Sequence, residues 1–186
     1  MKKLLYIILA AGMLACTVEK KENASASAGS NQDIDIEKRL SELDIELPEV
    51  SAPVANYVNA VRTGNLLFLA GKGPKKPDGS YITGKVGVDL TLEEAQEAAR
   101  LTGINQLAVL KAELGDLNNV KRIVKVTGMV NTGPEFGNQP EVINGFSDLM
   151  VEVFGDKGKH ARAAVGMASL PRNIAVEIDM VVEIED

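Results

Sequence analysis

The chain has 186 residues, of which 20 are basic and 26 acidic, for a formal charge of −6. It carries one Cys, one His and no basic stripe interleaved with aromatics, so a nucleic-acid partner is excluded, as are a disulfide and any metal site built on paired Cys or His. Chemistry must come from Arg, Lys, Tyr, Asp, Glu, backbone groups and bound water.

The first residues have the parts of an export signal: Lys2 and Lys3, an uncharged run from Leu4 to Leu14, then Met13-Leu14-Ala15-Cys16. That last group resembles the lipobox of bacterial lipoproteins, where cleavage precedes a cysteine that becomes acylated. The apolar run is too short to span a bilayer comfortably; the alternative is an ordinary cleaved signal with an incidental cysteine. The expectation is a signal peptide over 1–15, lipid on Cys16, and a membrane-anchored location in the cell envelope, facing the periplasm or the outside. Residues 16–33 are polar and rich in small residues, too poor in aliphatic side chains to fold, and read as a flexible tether. Without Lys2 and Lys3, 18 basic residues face 26 acidic ones, a formal charge of −8.

The remaining 34–186 is the size of one domain. Ile36 to Leu43 has helical spacing and is stopped by Pro48. Tyr57 to Arg62 and Leu66 to Ala70 read as strands joined by the turn Thr63-Gly64-Asn65, and Pro77-Asp78-Gly79 is a second turn. Lys72 to Leu90 bears Gly and Lys without phosphate-loop spacing. Thr91, three residues before Glu94, opens a long helix with Ile104, Leu107, Leu110 and Leu114 at helical intervals, and Gly115 stops it. Arg122 to Asn131 is a strand with Val124, Val126 and Val130 on one face. Pro140 starts a second long helix with Val142, Phe146, Leu149 and Val153 on one stripe, closed by Gly155. His160, beside Gly158 and Lys159, reads as a loop residue. Ala161 to Ala168 is a small-residue strand, and Ile174 to Ile184 alternates apolar and acidic residues.

The order β-β-α-β-α-β-β predicts an α+β sheet with two helices on one face. The other face is not polar: Ile123, Met129 and Val181 point there, and Leu66-Leu67-Phe68-Leu69 is apolar on both sides. A neighbouring subunit is the economical cover.

Taken in order, these residues resemble the RidA/YjgF family over about Leu47 to Asp186. The carriers are Tyr57-Val58 with Gly64 to Gly71, the helix Glu93 to Leu114, Val142-Ile143-Asn144, Ala161-Arg162-Ala163-Ala164-Val165, Leu170-Pro171 and Val176-Glu177-Ile178. Gly71-Lys72-Gly73-Pro74, Gly84-Lys85-Val86-Gly87 and His160-Ala161-Arg162 resemble the branch called endoribonuclease L-PSP-like. The resemblance implies a chorismate-mutase-like fold, a homotrimer around a barrel core, and ligand clefts between subunits. It also implies cofactor-free hydrolytic deamination of enamines and imines, such as 2-aminoacrylate and 2-iminopropanoate, to 2-keto acids and ammonia.

By that resemblance Arg162 anchors a substrate carboxylate, Glu177 helps place the attacking water, Tyr57 lines the cleft, Asn144 sits near it, and Gly71 lets a ligand approach the backbone. Each has a plainer alternative: an inter-subunit ion pair for Arg162, a solvated carboxylate for Glu177, edge packing for Tyr57, the first helical turn for Asn144, a turn for Gly71. Ala70 stands where deaminase members commonly have Ser, and Ala164 where many have Cys. The alternative function is a non-catalytic trimer of the cell envelope that binds a small carboxylate-bearing ligand at the subunit interface. Ribonuclease chemistry conflicts with the acidic charge and the lack of a suitable histidine.

Overall fold

The structure is a computed structural model that describes residues 34–50 and 55–185. The expected signal peptide, Cys16 and the tether lie outside the described residues, as does Asp186. The described residues belong to the second of two units into which the chain divides, Asp33–Asp186.

A short helix α1 (Ile36–Glu42) leads, its first N–H groups capped by Asp35 Oδ1, which accepts from Glu37 N at 3.1 Å and Lys38 N at 3.2 Å. Strands β1 (Ala60–Thr63) and β2 (Leu66–Lys72) form a hairpin around Gly64, whose φ of +58° matches the turn. Helix α2 (Leu92–Leu114) opens on the expected capping box: Thr91 Oγ1 accepts from Glu94 N at 3.2 Å, and Glu94 Oε2 accepts from Thr91 N at 2.8 Å. Strand β3 (Val120–Asn131), helix α3 (Gln139–Phe154), strand β4 (Ala161–Met167) and strand β5 (Val176–Ile184) follow. The sheet order is β1-β2-β5-β3-β4, antiparallel except for the β3–β4 pair, with α2 and α3 packed together on one face. Three helices on one five-stranded mixed sheet is the expected α+β architecture.

Three details differ from the sequence reading. Tyr57 and Val58 precede β1, because a tight turn (Tyr57 N to Ala55 O, 2.8 Å) interrupts the chain before the hairpin starts. Ile123 lies in the core at 0% exposure, and Val124 does not share the Val126 face. The register of β3 against β5 slips between Ile123 and Lys125, and such a bulge inserts one residue and reverses the alternation. In α2 the buried stripe includes Ala95, Ala98, Ala99, Thr102, Gly103 and Gln106, whereas Ile104 and Leu114 are half-buried. Small residues there allow close packing: a Cβ on Gly145 of α3 would overlap the Gln96 carbonyl of α2.

The opposite face of the sheet carries Val61 (56% exposed), Phe68 (44%) and Val165 (42%). Val61 pairs with Phe68 and Phe68 with Val181 across β1, β2 and β5, while Glu177 pairs with Met129 and Met129 with Val165 across β5, β3 and β4. Met129 and Val181 are where the alternation put them. Among the described residues no helix is long and apolar enough to cross a membrane.

Candidate functional site

A cavity of about 600 Å³ opens where β2 meets β5, and it brings together Tyr57, Gly71 and Glu177. The local backbone explains the place. The β2–β5 register shifts between Leu69 and Lys72, which takes the carbonyls of Ala70 and Ile178 out of the regular ladder. Gln106, fully buried on α2, supplies the missing donor: its Nε2 reaches Ala70 O at 3.0 Å and Ile178 O at 2.7 Å. The kinked strand then presents Gly71 beneath the side chain of Glu177. A Cβ at position 71 would overlap Glu177 Oε1, so the carboxylate lies where only glycine leaves room.

Glu177 is half-buried and forms no hydrogen bond or ion pair with another described residue. Burial raises its pKa above the ordinary glutamate value, and the neighbouring Asp179 carboxylate raises it further. A carboxylate shifted in this direction, facing a cavity, is suited to take up a proton.

Arg162 and Asn144 lie elsewhere. Arg162 Nη1 donates to Asn144 Oδ1 at 2.8 Å and to Ser147 Oγ at 3.1 Å, so the edge strand β4 is fastened to α3. Asn144 therefore serves the guanidinium and not its helix's first turn. Ser147 Oγ also lies 3.1 Å from His160 Nε2, and His160 Nδ1 lies 2.7 Å from the Gly158 carbonyl. A carbonyl can only accept, so Nδ1 carries the proton and Nε2 accepts from the serine hydroxyl. Burial holds the His160 pKa down, with Arg162 adding to the effect, and both favour the neutral imidazole this arrangement needs. The Nε and Nη2 groups of Arg162 have no partner among the described residues, and no carboxylate there pairs with it. That leaves one side of the planar fork for a carboxylate ligand.

Within one chain the two groups do not converge. Arg162 pairs with core-facing Val126 and points to the helix side, whereas Glu177 alternates to the opposite side. Two strand spacings separate β4 from β5, roughly 10 Å. Lys72, Lys75, Tyr81, Asn105 and Arg172, for which the sequence suggests no role, also line the cavity. Lys72 directly follows Gly71 and was the one legible signal. Arg172 and Asn105 arrive from distant segments, and Asn105 Nδ2 holds the loop by donating to Gly73 O (3.2 Å) and Lys75 O (3.1 Å). Ser147 and His160 were also missed, although Asn144 and Ser147 share a helix face at i, i+3. Ala70 lines the cavity with no hydroxyl, and Ala164 packs against the core.

The family described as "YjgF/chorismate_mutase-like, putative endoribonuclease" matches residues 37–184. The protein TCP17 of Trypanosoma cruzi is 45% identical over 79% of this chain and 92% of its own. A protein of Dermatophagoides farinae named 2-iminobutanoate/2-iminopropanoate deaminase is 32% identical over 76% of this chain and 95% of its own. Among solved structures, the protein Atu1372 of Agrobacterium tumefaciens, described as of unknown function, is 48% identical with a TM-score of 0.75, covering 82% of this chain and 93% of its own. A Shewanella oneidensis protein described as a putative endoribonuclease superposes with a TM-score of 0.78 at 32% identity, over 81% of this chain and all of its own. Sequence, sheet order and helix placement agree, and the chain belongs to the YjgF/RidA family.

Proposed function

We propose that the protein hydrolyses reactive enamines and imines of the 2-aminoacrylate/2-iminopropanoate type to 2-keto acids and ammonia, as a homotrimer whose site is shared between copies. The observation that carries this reading is Glu177, a carboxylate of raised proton affinity laid across Gly71 in a cavity whose described lining holds no thiol and no histidine. In the reaction Glu177 accepts a proton from water as the water oxygen bonds to the imine carbon. That proton is returned to nitrogen, giving a carbinolamine; Glu177 then takes the hydroxyl proton and passes it to the amine, so that the C–N bond breaks and ammonia leaves as the carbonyl forms. Arg162 of a second copy meets the substrate's carboxylate with its free Nε–Nη2 side. The separation of Arg162 and Glu177 within one chain supports a shared site, and the apolar side chains on the open sheet face support the association. In this reading Cys16 carries the lipid that tethers the trimer to the cell envelope.

The test is keto-acid release from 2-iminopropanoate generated in situ by an amino-acid oxidase, with wild type, Glu177→Gln and Arg162→Ala. Wild type should accelerate release over buffer. Glu177→Gln should keep keto-acid binding and lose rate, because an amide takes up no proton. Loss of Arg162 should cut kcat/KM by well over tenfold, since truncating one member of a desolvated charge pair costs about 2–5 kcal/mol. A second reading, ligand binding without turnover, is favoured by Ala70, which offers no hydroxyl beside Gly71. Arg162-dependent keto-acid binding with no turnover by wild type would select it.

A further inference from the structure

The cavity is lined by three cations in a chain whose overall charge is negative. Lys72, Lys75 and Arg172 line it against two carboxylates, Glu177 and the exposed Glu49 at the rim. At about 600 Å³ the space is of the size that encloses drug-sized ligands, on the order of 300–1,000 Å³, and exceeds what three carbons need.

Two of the cations are arranged without a counter-charge. Lys72 is half-buried, and its Nζ donates to a neutral acceptor, Asn59 Oδ1, at 2.6 Å. Burial lowers its pKa, and the nearby Lys75 ammonium lowers it further; the charge of a bound anion would act in the opposite direction. Arg172 sits in left-handed backbone (φ 56°, ψ 21°) and is followed by Asn173 at φ 58°. Consecutive non-glycine residues in that region are strained and persist only where their surroundings hold them. Here Asn173 is held from two sides. Asn173 Oδ1 accepts from Nδ2 of the fully buried Asn131 at 2.9 Å, and Asn173 O accepts from Gly84 N at 2.8 Å. Asn131 Oδ1 in turn accepts from Lys85 Nζ at 3.3 Å. All this order supports a residue whose own guanidinium has no hydrogen bond or ion pair among the described residues.

We propose that Lys72 and Arg172 form an anion subsite that receives a second acid group, so that the ligands this cavity prefers are four- and five-carbon dicarboxylates and their 2-imino forms. The assignment rests on the function proposed above for the reacting end, with Glu177 at the imine carbon and the subsite at the far carboxylate. A planar guanidinium is well suited to that end, because its fork can meet a carboxylate with two parallel hydrogen bonds and the held backbone limits where the side chain can reach.

The test has a catalytic and a binding arm. Iminosuccinate and 2-iminoglutarate are generated from D-aspartate and D-glutamate by D-aspartate oxidase, and 2-iminopropanoate from D-alanine by D-amino-acid oxidase. The readout is the ratio of kcat/KM for the dicarboxylate imines to that for 2-iminopropanoate. Wild type should favour the dicarboxylates by about tenfold or more, and Arg172→Gln and Lys72→Gln should each reduce the ratio by about tenfold. Arg172→Lys should restore part of it, and thermal melts confirm that each variant is folded. In parallel, calorimetry compares 2-oxoglutarate with pyruvate binding to the same proteins. If no imine is turned over while 2-oxoglutarate still binds more tightly than pyruvate in an Arg172-dependent way, the subsite stands and deamination fails. If 2-iminopropanoate is hydrolysed but the ratio is near one, or neither variant moves it, the subsite is overturned. Equal binding of the two keto acids in the absence of turnover overturns it as well.

Discussion

An ionised carboxylate in a half-buried setting is a cost to the folded chain at neutral pH, and Glu177 carries that cost beside another acid. Its folded pKa lies above the ordinary value of 4.5, so its stabilising contribution is complete below that pH and is lost as pH rises through the folded value. Glu177→Gln is therefore expected to raise the melting temperature at pH 7 while removing turnover, and the gap from wild type should narrow as pH falls toward 4. Thermal melts across pH 4–8 check this. A variant that loses both rate and stability would mean the carboxylate is structural. His160 has the opposite sign of effect on acidification. Its folded pKa lies below 6.5, so its contribution is complete above 6.5 and is lost as pH falls from there through the folded value. Protonation would also set a second cation beside Arg162 and replace the serine's acceptor by a donor. Ser147→Ala should loosen the guanidinium and weaken carboxylate binding severalfold, with the effect seen in KM more than in kcat.

At the scale of elements, the site depends on a defect in the β2–β5 ladder, and that defect depends on Gln106. Its amide satisfies two carbonyls that the slipped register exposes. Gln106→Leu would leave the buried Ile178 carbonyl without a donor, at about 1–3 kcal/mol, and the part-buried Ala70 carbonyl without its protein partner. The ladder should respond by shifting toward regular pairing, which moves Gly71 and disorders Glu177. The expected result is a lower melting temperature together with lost activity, and backbone amide exchange at Ala70–Lys72 should rise. Gly71→Ala tests the same geometry from the other side, since its methyl group would displace the carboxylate while leaving the bulge in place. Much of this scale was legible from residues alone. Thr91 with Glu94, Gly115, Gly155 and the alternation of Val176 to Ile184 mark element ends and faces through local rules, and the structure has all of them. What local rules cannot register is an inserted residue. Nothing in Val120 to Asn131 states that the ladder slips at Val124, so Ile123 was assigned the wrong face. The site shows the same limit. Glu177 and Gly71 were legible from the resemblance, but Arg172 joins them only after the chain has folded, through contacts of Asn173 with Asn131 and Gly84.

At the scale of the whole molecule, the two residues of the proposed site, Arg162 and Glu177, point to opposite sides of one sheet. Arg162 and its partners occupy the helix side of the edge strand β4, whereas Glu177 alternates to the other side of β5 and faces the cavity at the β2–β5 seam, two strands away. No small ligand spans both within a chain, so turnover that depends on both requires association. The surface available for it is the open sheet face, where Val61, Phe68 and Val165 remain exposed. Burying one such aromatic is worth roughly 1.5–3 kcal/mol, and a trimer repeats the gain at every interface. A chain beginning at Asp33 should therefore be a trimer at micromolar concentration by light scattering. Phe68→Asp should convert it to monomer by setting a charge where the apolar row Val61, Phe68 and Val181 would pack. Phe68 does not line the cavity, so a monomeric variant tests the shared site without touching Glu177 or Arg162. Activity should disappear with the trimer and return when protein concentration is raised far enough to restore association. A folded monomer that keeps full, Arg162-dependent turnover would show that one chain suffices, and the assignment of Arg162 to a neighbouring copy's substrate would fall.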